Sequence, residues 1–331
     1  MKIGVLGSGS WGTALAQVLS DGGHDVLIYG VCKEEIDDIN INRKNQKYFA
    51  DVPISEKLKA STDIRALASY NDALLVAVPT KFISDVLSEM KPFIKESTII
   101  INASKGFEWG TNKRISTCIR DTLDGVKYAG LASIIGPSHA EEVILRKLTS
   151  VCAVSLSYEL AQEVQRIFSN SYLRVYVSTD EIGAEYGVAI KNIIAIASGM
   201  LEGQGYGDNS KAALITRGLQ EMIRYGESKG AEASTFIGLT GVGDLIVTCF
   251  SPHSRNYRAG LEIGKADSAD VLANNQTTVE GVHSCKSVYE DAKNSDIEMP
   301  IVESVYRVLF CNAKPSEEIA HIMNRPLKSE M

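Results

Sequence analysis

A doubly wound α/β sheet followed by an all-α domain is the fold class that the sequence predicts, on three observations. The chain opens with an apolar run, Ile3-Gly4-Val5-Leu6, that leads straight into Gly7-Ser8-Gly9-Ser10-Trp11-Gly12. Up to about Val177, strand-like runs alternate with helical ones. Such alternation implies right-handed crossovers and a sheet covered by helices. From Thr179-Asp180 onward no convincing strand pattern occurs and helical periodicity takes over.

The elements follow in order. Lys2–Leu6 is the first strand, and the G-x-G-x-x-G turn after it opens a helix through Thr13-Ala14-Leu15-Ala16-Gln17-Val18-Leu19. In that turn Gly7 allows the tight bend, Gly9 lets a pyrophosphate approach the backbone and Gly12 lets helix and strand pack closely. The free N–H groups and dipole of the helix start then face an anion. An ordinary strand–helix turn without a ligand is the plain alternative. Further strands are expected at Asp25–Tyr29, Ala73–Val78, Thr98–Asn102, Ala132–Ile135, Ser150–Ala153 and Arg174–Val177, most of them near-continuous apolar runs, as in a sheet buried on both faces. Helices are expected at Phe82–Met90, Lys113–Thr122, His139–Arg146 and Glu159–Ser169. In the second part Asp180 can cap a helix through about Met200 and Asn209 one through about Glu227. Shorter helices are expected near Asp244–Thr248, Asn256–Ile263, Ser284–Asn294, Pro300–Phe310 and Pro315–Met323. The expected division is a Rossmann-like dinucleotide-binding domain over residues 1–179 and an all-α substrate-binding domain over 180–331.

Composition narrows the class of function. The chain has 331 residues, 44% hydrophobic and 23% charged, which suits a globular protein with a large core. Its formal net charge of −7 offers no general footprint for nucleic acid or an anionic membrane. An anionic small molecule must therefore meet a local cluster of Lys and Arg. No apolar stretch is expected to reach membrane-spanning length, and with a strand so early no signal peptide is expected. Six scattered cysteines without a C-x-x-C pair read as reduced thiols of a cytoplasmic enzyme, and five histidines without ligand spacing make a metal site unexpected.

Five segments could carry chemistry. Val188–Ala197 is apolar almost all round except for Lys191. Burial lowers a lysine pKa towards the range of a general acid or base; a lysine that snorkels to the surface is the equal alternative. Asn102-Ala103-Ser104-Lys105-Gly106-Phe107 follows a strand, where ligands of open α/β sheets sit; without that strand Lys105 would read as a solvated loop residue. Gly136-Pro137-Ser138 again joins a strand to a helix, and Ser138 could bind an anion or merely cap. Gly238–Asp244 and Ser251–Arg258 form the densest segment. Asp244 could orient a lysine or a substrate hydroxyl, or simply cap a helix. Arg255 beside a helix start is a good phosphate receptor, or a solvated side chain. Thr278-Val279-Glu280-Gly281 could place Glu280 on a ribose hydroxyl or at the surface.

Taken together, Gly7–Ala14, Ser104-Lys105-Gly106, Gly136-Pro137-Ser138, Glu185-Tyr186-Gly187 with Lys191-Asn192, Gly241–Leu245 and Ser254-Arg255-Asn256 resemble the bacterial-type NAD(P)-dependent glycerol-3-phosphate dehydrogenases over nearly the whole length. The resemblance implies interconversion of dihydroxyacetone phosphate and sn-glycerol 3-phosphate for glycerophospholipid synthesis. It implies that Ser10, Trp11, Lys105, Ala140, Arg255 and Glu280 contact NAD or NADP, beside the turn glycines Gly7, Gly9 and Gly12. It implies that Lys105, Gly136, Ser138, Lys191, Asp244, Ser254, Arg255 and Asn256 hold the substrate, with Lys191 exchanging the proton, Lys105 adding positive field and Asp244 holding Lys191. After the second strand, Gly30-Val31-Cys32-Lys33-Glu34 has neither a guanidinium nor a free acid; Lys33 could meet a 2′-phosphate, and the choice between NAD and NADP stays open. The loop Gly203–Asp208 could serve as a hinge or lid. The competing readings are a β-hydroxyacid or ketopantoate-type reductase, which would need a carboxylate receptor, and a non-catalytic NAD(P)-sensing protein. A homodimer is compatible with the sequence but not specified by it.

Overall fold

The computed structural model describes residues 1–274, 279–327 and 329–330, excluding the side chain of Asn274. Thr278, quoted above, lies outside the described residues. The chain forms two compact units, Met1–Glu185 and Tyr186–Met331.

The first unit is an eight-stranded sheet. Its elements are β1 (Lys2–Leu6), α1 (Ser10–Asp21), β2 (Asp25–Tyr29), α2 (Lys33–Asp37), α3 (Gln46–Phe49), β3 (Lys59–Ser61), β4 (Ala73–Val76), α4 (Ile83–Met90), β5 (Ile99–Asn102), α5 (Ile115–Thr122), β6 (Gly130–Ile135), α6 (Ala140–Val143), β7 (Thr149–Val154), α7 (Tyr158–Phe168) and β8 (Leu173–Ser178). The strand order is β3-β2-β1-β4-β5-β6-β7-β8. All neighbours pair in parallel except β6 with β7, where Ile134 opposes Ala153 in an antiparallel register. The order reverses between β1 and β4, and the crevice beyond their carboxyl ends is where such sheets bind nucleotides.

Alternation along the strands explains why the sheet is buried on both faces. Ile3 and Val5 of β1, Leu75 of β4 and Ile99 and Ile101 of β5 join one core with Leu15, Leu19 and Phe168. Their neighbours Leu6, Leu74, Val76 and Ile100 join a second core with Leu87 and Ile119. Each fully buried Leu or Ile contributes roughly 1.5–3 kcal/mol.

The second unit is helical. The helix α8 (Glu181–Gly203) begins in the first unit, where Asp180 Oδ1 caps it by accepting the Gly183 N–H at 2.8 Å, and continues into the second. There follow α9 (Asp208–Ser228), α10 (Ala233–Phe236), α11 (Asp244–Phe250), α12 (Arg255–Ala266), α13 (Glu280–Asn294), α14 (Pro300–Phe310) and α15 (Pro315–Met323). Val188 to Ile196 of α8 are all buried. Glycines let α8 and α12 approach closely. A Cβ at Gly199 would collide with the Tyr257 carbonyl, one at Gly260 with the Ile196 carbonyl, and one at Gly203 would meet the Leu261 carbonyl at 2.6 Å. Gln204 Nε2 donates to the Gly264 carbonyl at 2.8 Å and to Asp267 Oδ1 at 3.0 Å, so the loop Gly203–Asp208 is tied to the end of α12.

One expectation is corrected. The stretch Ala233–Phe250 is long and apolar enough, by composition, to cross a membrane. The chain breaks it into α10, a π turn over Leu239–Gly243 and α11, with the buried carboxylate Asp244 inside it.

Candidate functional site

In the first unit the glycine turn joins β1 to α1. Gly7 has φ +120°, and a Cβ there would sit 2.7 Å from the Ala77 carbonyl. A Cβ on Gly12 would collide with the Gly7 carbonyl, whereas around Gly9 nothing lies within 4 Å. The turn is thus closed on its inner side and open where a phosphate would approach. Ser10 begins α1, with Gly9 at its N-cap and no side chain satisfying the first N–H groups. The indole Nε1 of Trp11 is buried with no hydrogen-bond partner among the described residues. An orphan donor beside an open glycine and a bare helix start suits an anionic dinucleotide.

The turns after β5 and β6 meet in the same unit. Lys105 Nζ donates to the Gly136 carbonyl at 3.2 Å and to Ser138 Oγ at 3.5 Å, and lies 5.8 Å from the Trp11 ring. Lys105 is aimed by its neighbours: the Ser104 N–H donates to Asn102 Oδ1 at 2.9 Å, and Ser104 Oγ donates to the Val78 carbonyl at 2.7 Å. Ser138 does not cap the following helix; its hydroxyl donates to the Gly136 carbonyl at 3.0 Å, and the N-cap is His139. Ala140 is buried at the first residue of α6. The sequence residues Trp11, Lys105, Gly136 and Ser138 therefore form one cluster.

In the second unit Lys191 does not snorkel. Its Nζ lies 2.5 Å from Asp244 Oδ2 and donates to Thr248 Oγ1 at 3.2 Å, and all three residues are buried. Thr248 Oγ1 in turn donates to the Asp244 carbonyl at 2.5 Å, so it presents a lone pair to the ammonium. Asp244 is the first residue of α11 but makes no cap there; its carboxylate serves the lysine. Burial pushes the neighbouring Cys249 thiol far up. Gly187, on the same helix as Lys191, has the Thr240 carbonyl 2.9 Å from where a Cβ would stand.

Ser254 caps α12 by accepting the Tyr257 N–H at 3.2 Å. Arg255 at the first position is half-exposed, 3.9 Å from Glu280 Oε1. Asn256 is buried and its Oδ1 accepts the Gly281 N–H at 2.9 Å, which fixes the start of α13 and with it Glu280. A guanidinium, an amide and a helix start have the chemistry to take up a phosphate dianion.

A family model described as the NAD-dependent glycerol-3-phosphate dehydrogenase N-terminus matches residues 2–161, and its C-terminal counterpart matches residues 180–320. A protein of Enterococcus faecalis named glycerol-3-phosphate dehydrogenase [NAD(P)+] is 47% identical over 99% of this chain and 97% of its own length. The chain belongs to the NAD(P)-dependent glycerol-3-phosphate dehydrogenase family. A relative of the same name from an Exiguobacterium species is 44% identical over 100% of this chain and 97% of its own. The crystal structure of glycerol-3-phosphate dehydrogenase from Coxiella burnetii superposes with a TM-score of 0.90 at 33% identity, covering 98% of both chains.

Sequence reasoning missed three polar residues around these clusters. Thr248 stands one helical turn after Asp244, a spacing that could have signalled it. Glu35 and Asn45 contact the glycine turn from a distance in sequence, and no local pattern marks them. In contrast, a cavity of about 710 Å³ lined by Tyr289, Arg307, His321 and Arg325 contains none of the expected site residues.

Proposed function

We propose that this member of the family reduces dihydroxyacetone phosphate to sn-glycerol 3-phosphate, and runs the reverse oxidation, with Lys191 as the proton-exchanging group. The observation that carries this reading is the buried Lys191–Asp244–Thr248 cluster. When bound, NAD(P)H supplies a hydride to the carbonyl carbon. As charge develops on the carbonyl oxygen, Lys191 Nζ stabilises it and delivers a proton: an N–H bond breaks and an O–H bond forms. Asp244 supplies the counterion that a buried ammonium requires, and Thr248 fixes the direction of Nζ. Lys105, with Gly136 and Ser138, adds positive charge and hydrogen-bonding groups for the substrate. Ser254, Arg255 and Asn256 hold the phosphate, whose binding energy positions the reacting carbon. Gly7, Gly9, Ser10, Trp11, Gly12 and Ala140 take the dinucleotide, and Arg255 and Glu280 are assigned to it as well. The product is a precursor for glycerophospholipid synthesis in the cytoplasm.

The test is consumption of reduced dinucleotide with dihydroxyacetone phosphate, run with NADH and with NADPH. Turnover with this substrate and none with ketopantoate is expected. Absence of turnover with both dinucleotides would overturn the reading.

A further inference from the structure

The segment after β2 folds back beneath the glycine turn and holds it at two points. Asn45 is fully buried; its Nδ2 donates to the Ser8 carbonyl at 2.8 Å and to Thr13 Oγ1 at 2.9 Å. Glu35 is also buried, and its Oε2 accepts the Ser8 hydroxyl at 2.6 Å. Gly30, the first residue after β2, leaves no room for a side chain: a Cβ there would collide with Ser8 Oγ. The Ser8–Glu35 contact therefore lies where the carboxyl end of β2 meets the turn, the place at which dinucleotide-binding sheets read the ribose 2′ position.

A free acid at that place favours a 2′-hydroxyl and repels a 2′-phosphate. The first two carboxylates after β2 do not play that part. Glu34 accepts the Cys32 thiol at 3.1 Å, and Glu35 has both oxygens engaged. The second oxygen, Oε1, takes Lys47 Nζ at 2.6 Å and the Tyr48 hydroxyl at 3.5 Å. Lys47 is 61% exposed and lies 5.3 Å from the Tyr48 ring, so its ammonium covers the buried carboxylate from the solvent side. Its place follows from Asn45, two residues earlier, which ties the start of α3 to the turn. Lys33, the other cation at this end, is paired with Asp37.

We propose that Lys47 determines acceptance of the 2′-phosphate by neutralising Glu35, which is held against the phosphate-binding turn by Ser8. Lys47 acts through Glu35 and is a positioning and selectivity residue, not a catalytic one. The proposal rests on the reading that Gly7–Gly12 binds the dinucleotide.

The experiment is equilibrium titration of the full chain with NADH and with NADPH, without substrate, for wild type, Lys47→Met, Glu35→Gln and the double variant. Lys47→Met leaves one uncompensated negative charge, and we expect NADPH affinity to fall about five- to tenfold while NADH affinity changes less than about twofold. Glu35→Gln retains an acceptor for Ser8 and removes the charge; in that background Lys47→Met should no longer alter the NADPH-to-NADH ratio. That comparison also stands if the single lysine variant fails to fold. An unchanged ratio in Lys47→Met, whether or not both affinities fall together, overturns the proposal, as does a full Lys47→Met effect in the Glu35→Gln background. Failure of the wild type to bind either dinucleotide would instead overturn the underlying reading.

Discussion

The ammonium of Lys191 lies 2.5 Å from the carboxylate of Asp244, with the two side chains only 4% and 1% exposed. Neither charge would be tolerated alone at this depth. Their pairing keeps an ammonium in the apolar run of α8 without unfolding it. Removing Lys191 as Lys191→Ala should lower kcat by about 10²–10⁴-fold, the usual contribution of a positioned acid. Dinucleotide affinity, read by titration, should stay within a factor of two or so of wild type. Asp244→Asn should lower kcat and also the melting temperature, because breaking a buried pair costs roughly 3–5 kcal/mol. Wild-type turnover in Lys191→Ala would remove the lysine from its role.

Arg255 stands at the start of α12, half-exposed and 3.9 Å from Glu280. Replacing it with Met should leave stability nearly unchanged and lower kcat/KM for dihydroxyacetone phosphate by about 10- to 150-fold, the worth of one charged hydrogen-bonding contact. Steady-state kinetics should place most of the loss in KM. An unaltered KM would show that the phosphate is held elsewhere.

Gly9 and Gly12 should respond differently to the same methyl group. Around Gly9 there is open space, and at Gly12 the Gly7 carbonyl blocks it. Gly9→Ala should keep the melting temperature and weaken both dinucleotides, because the methyl occupies the approach to the phosphates. Gly12→Ala should lose both stability and affinity, the turn being forced open at a cost of about 1–3 kcal/mol. Calorimetry combined with dinucleotide titration separates the two.

Glu221 caps α14, its oxygens accepting the N–H groups of Ile301 at 2.7 Å and Val302 at 3.2 Å. Burial pushes its carboxyl up from 4.5 to about 7, against the pull of those two bonds. The folded state thus holds this proton more tightly than the unfolded one. The associated stability is full below about pH 4.5 and is lost as pH rises through about 7, a difference of about 3 kcal/mol. Urea denaturation of Glu221→Gln across that window should show a flatter pH dependence than wild type. Parallel curves would show that Glu221 does not titrate there.

The sheet was legible where apolar side chains cover both faces. β1 and β2 fall on the expected residues because Lys2–Leu6 and Asp25–Tyr29 are continuous runs bounded by glycine turns. β3 was not foreseen: Lys59-Ala60-Ser61 is short and has no apolar pattern of its own. The antiparallel join of β6 and β7 was also hidden, since strand direction depends on how the chain turns back through α6. That helix ends early, four residues long instead of spanning His139–Arg146, and Arg146 lies at φ 57°. Lys191 was visible as the one charge in the apolar run Val188–Ala197. Its partner Asp244, 53 residues on, was legible in its segment as a carboxylate that could orient a lysine or cap a helix, and the resemblance named Lys191 as the lysine; Thr248 lies one turn further along the same helix, while Glu35 and Asn45 owe their places to packing between distant segments.

The glycine contacts between α8 and α12 bear on how the sequence can drift. Lys191 is on the first helix, and Ser254, Arg255 and Asn256 are at the head of the second. Because Gly199 and Gly260 bring backbone against backbone, the two helices have no side-chain cushion to absorb a displacement. One extra methyl at either position would move Lys191 and the head of α12 relative to each other in a single step. Positions with no chemistry of their own thereby restrict which substitutions the fold can accept.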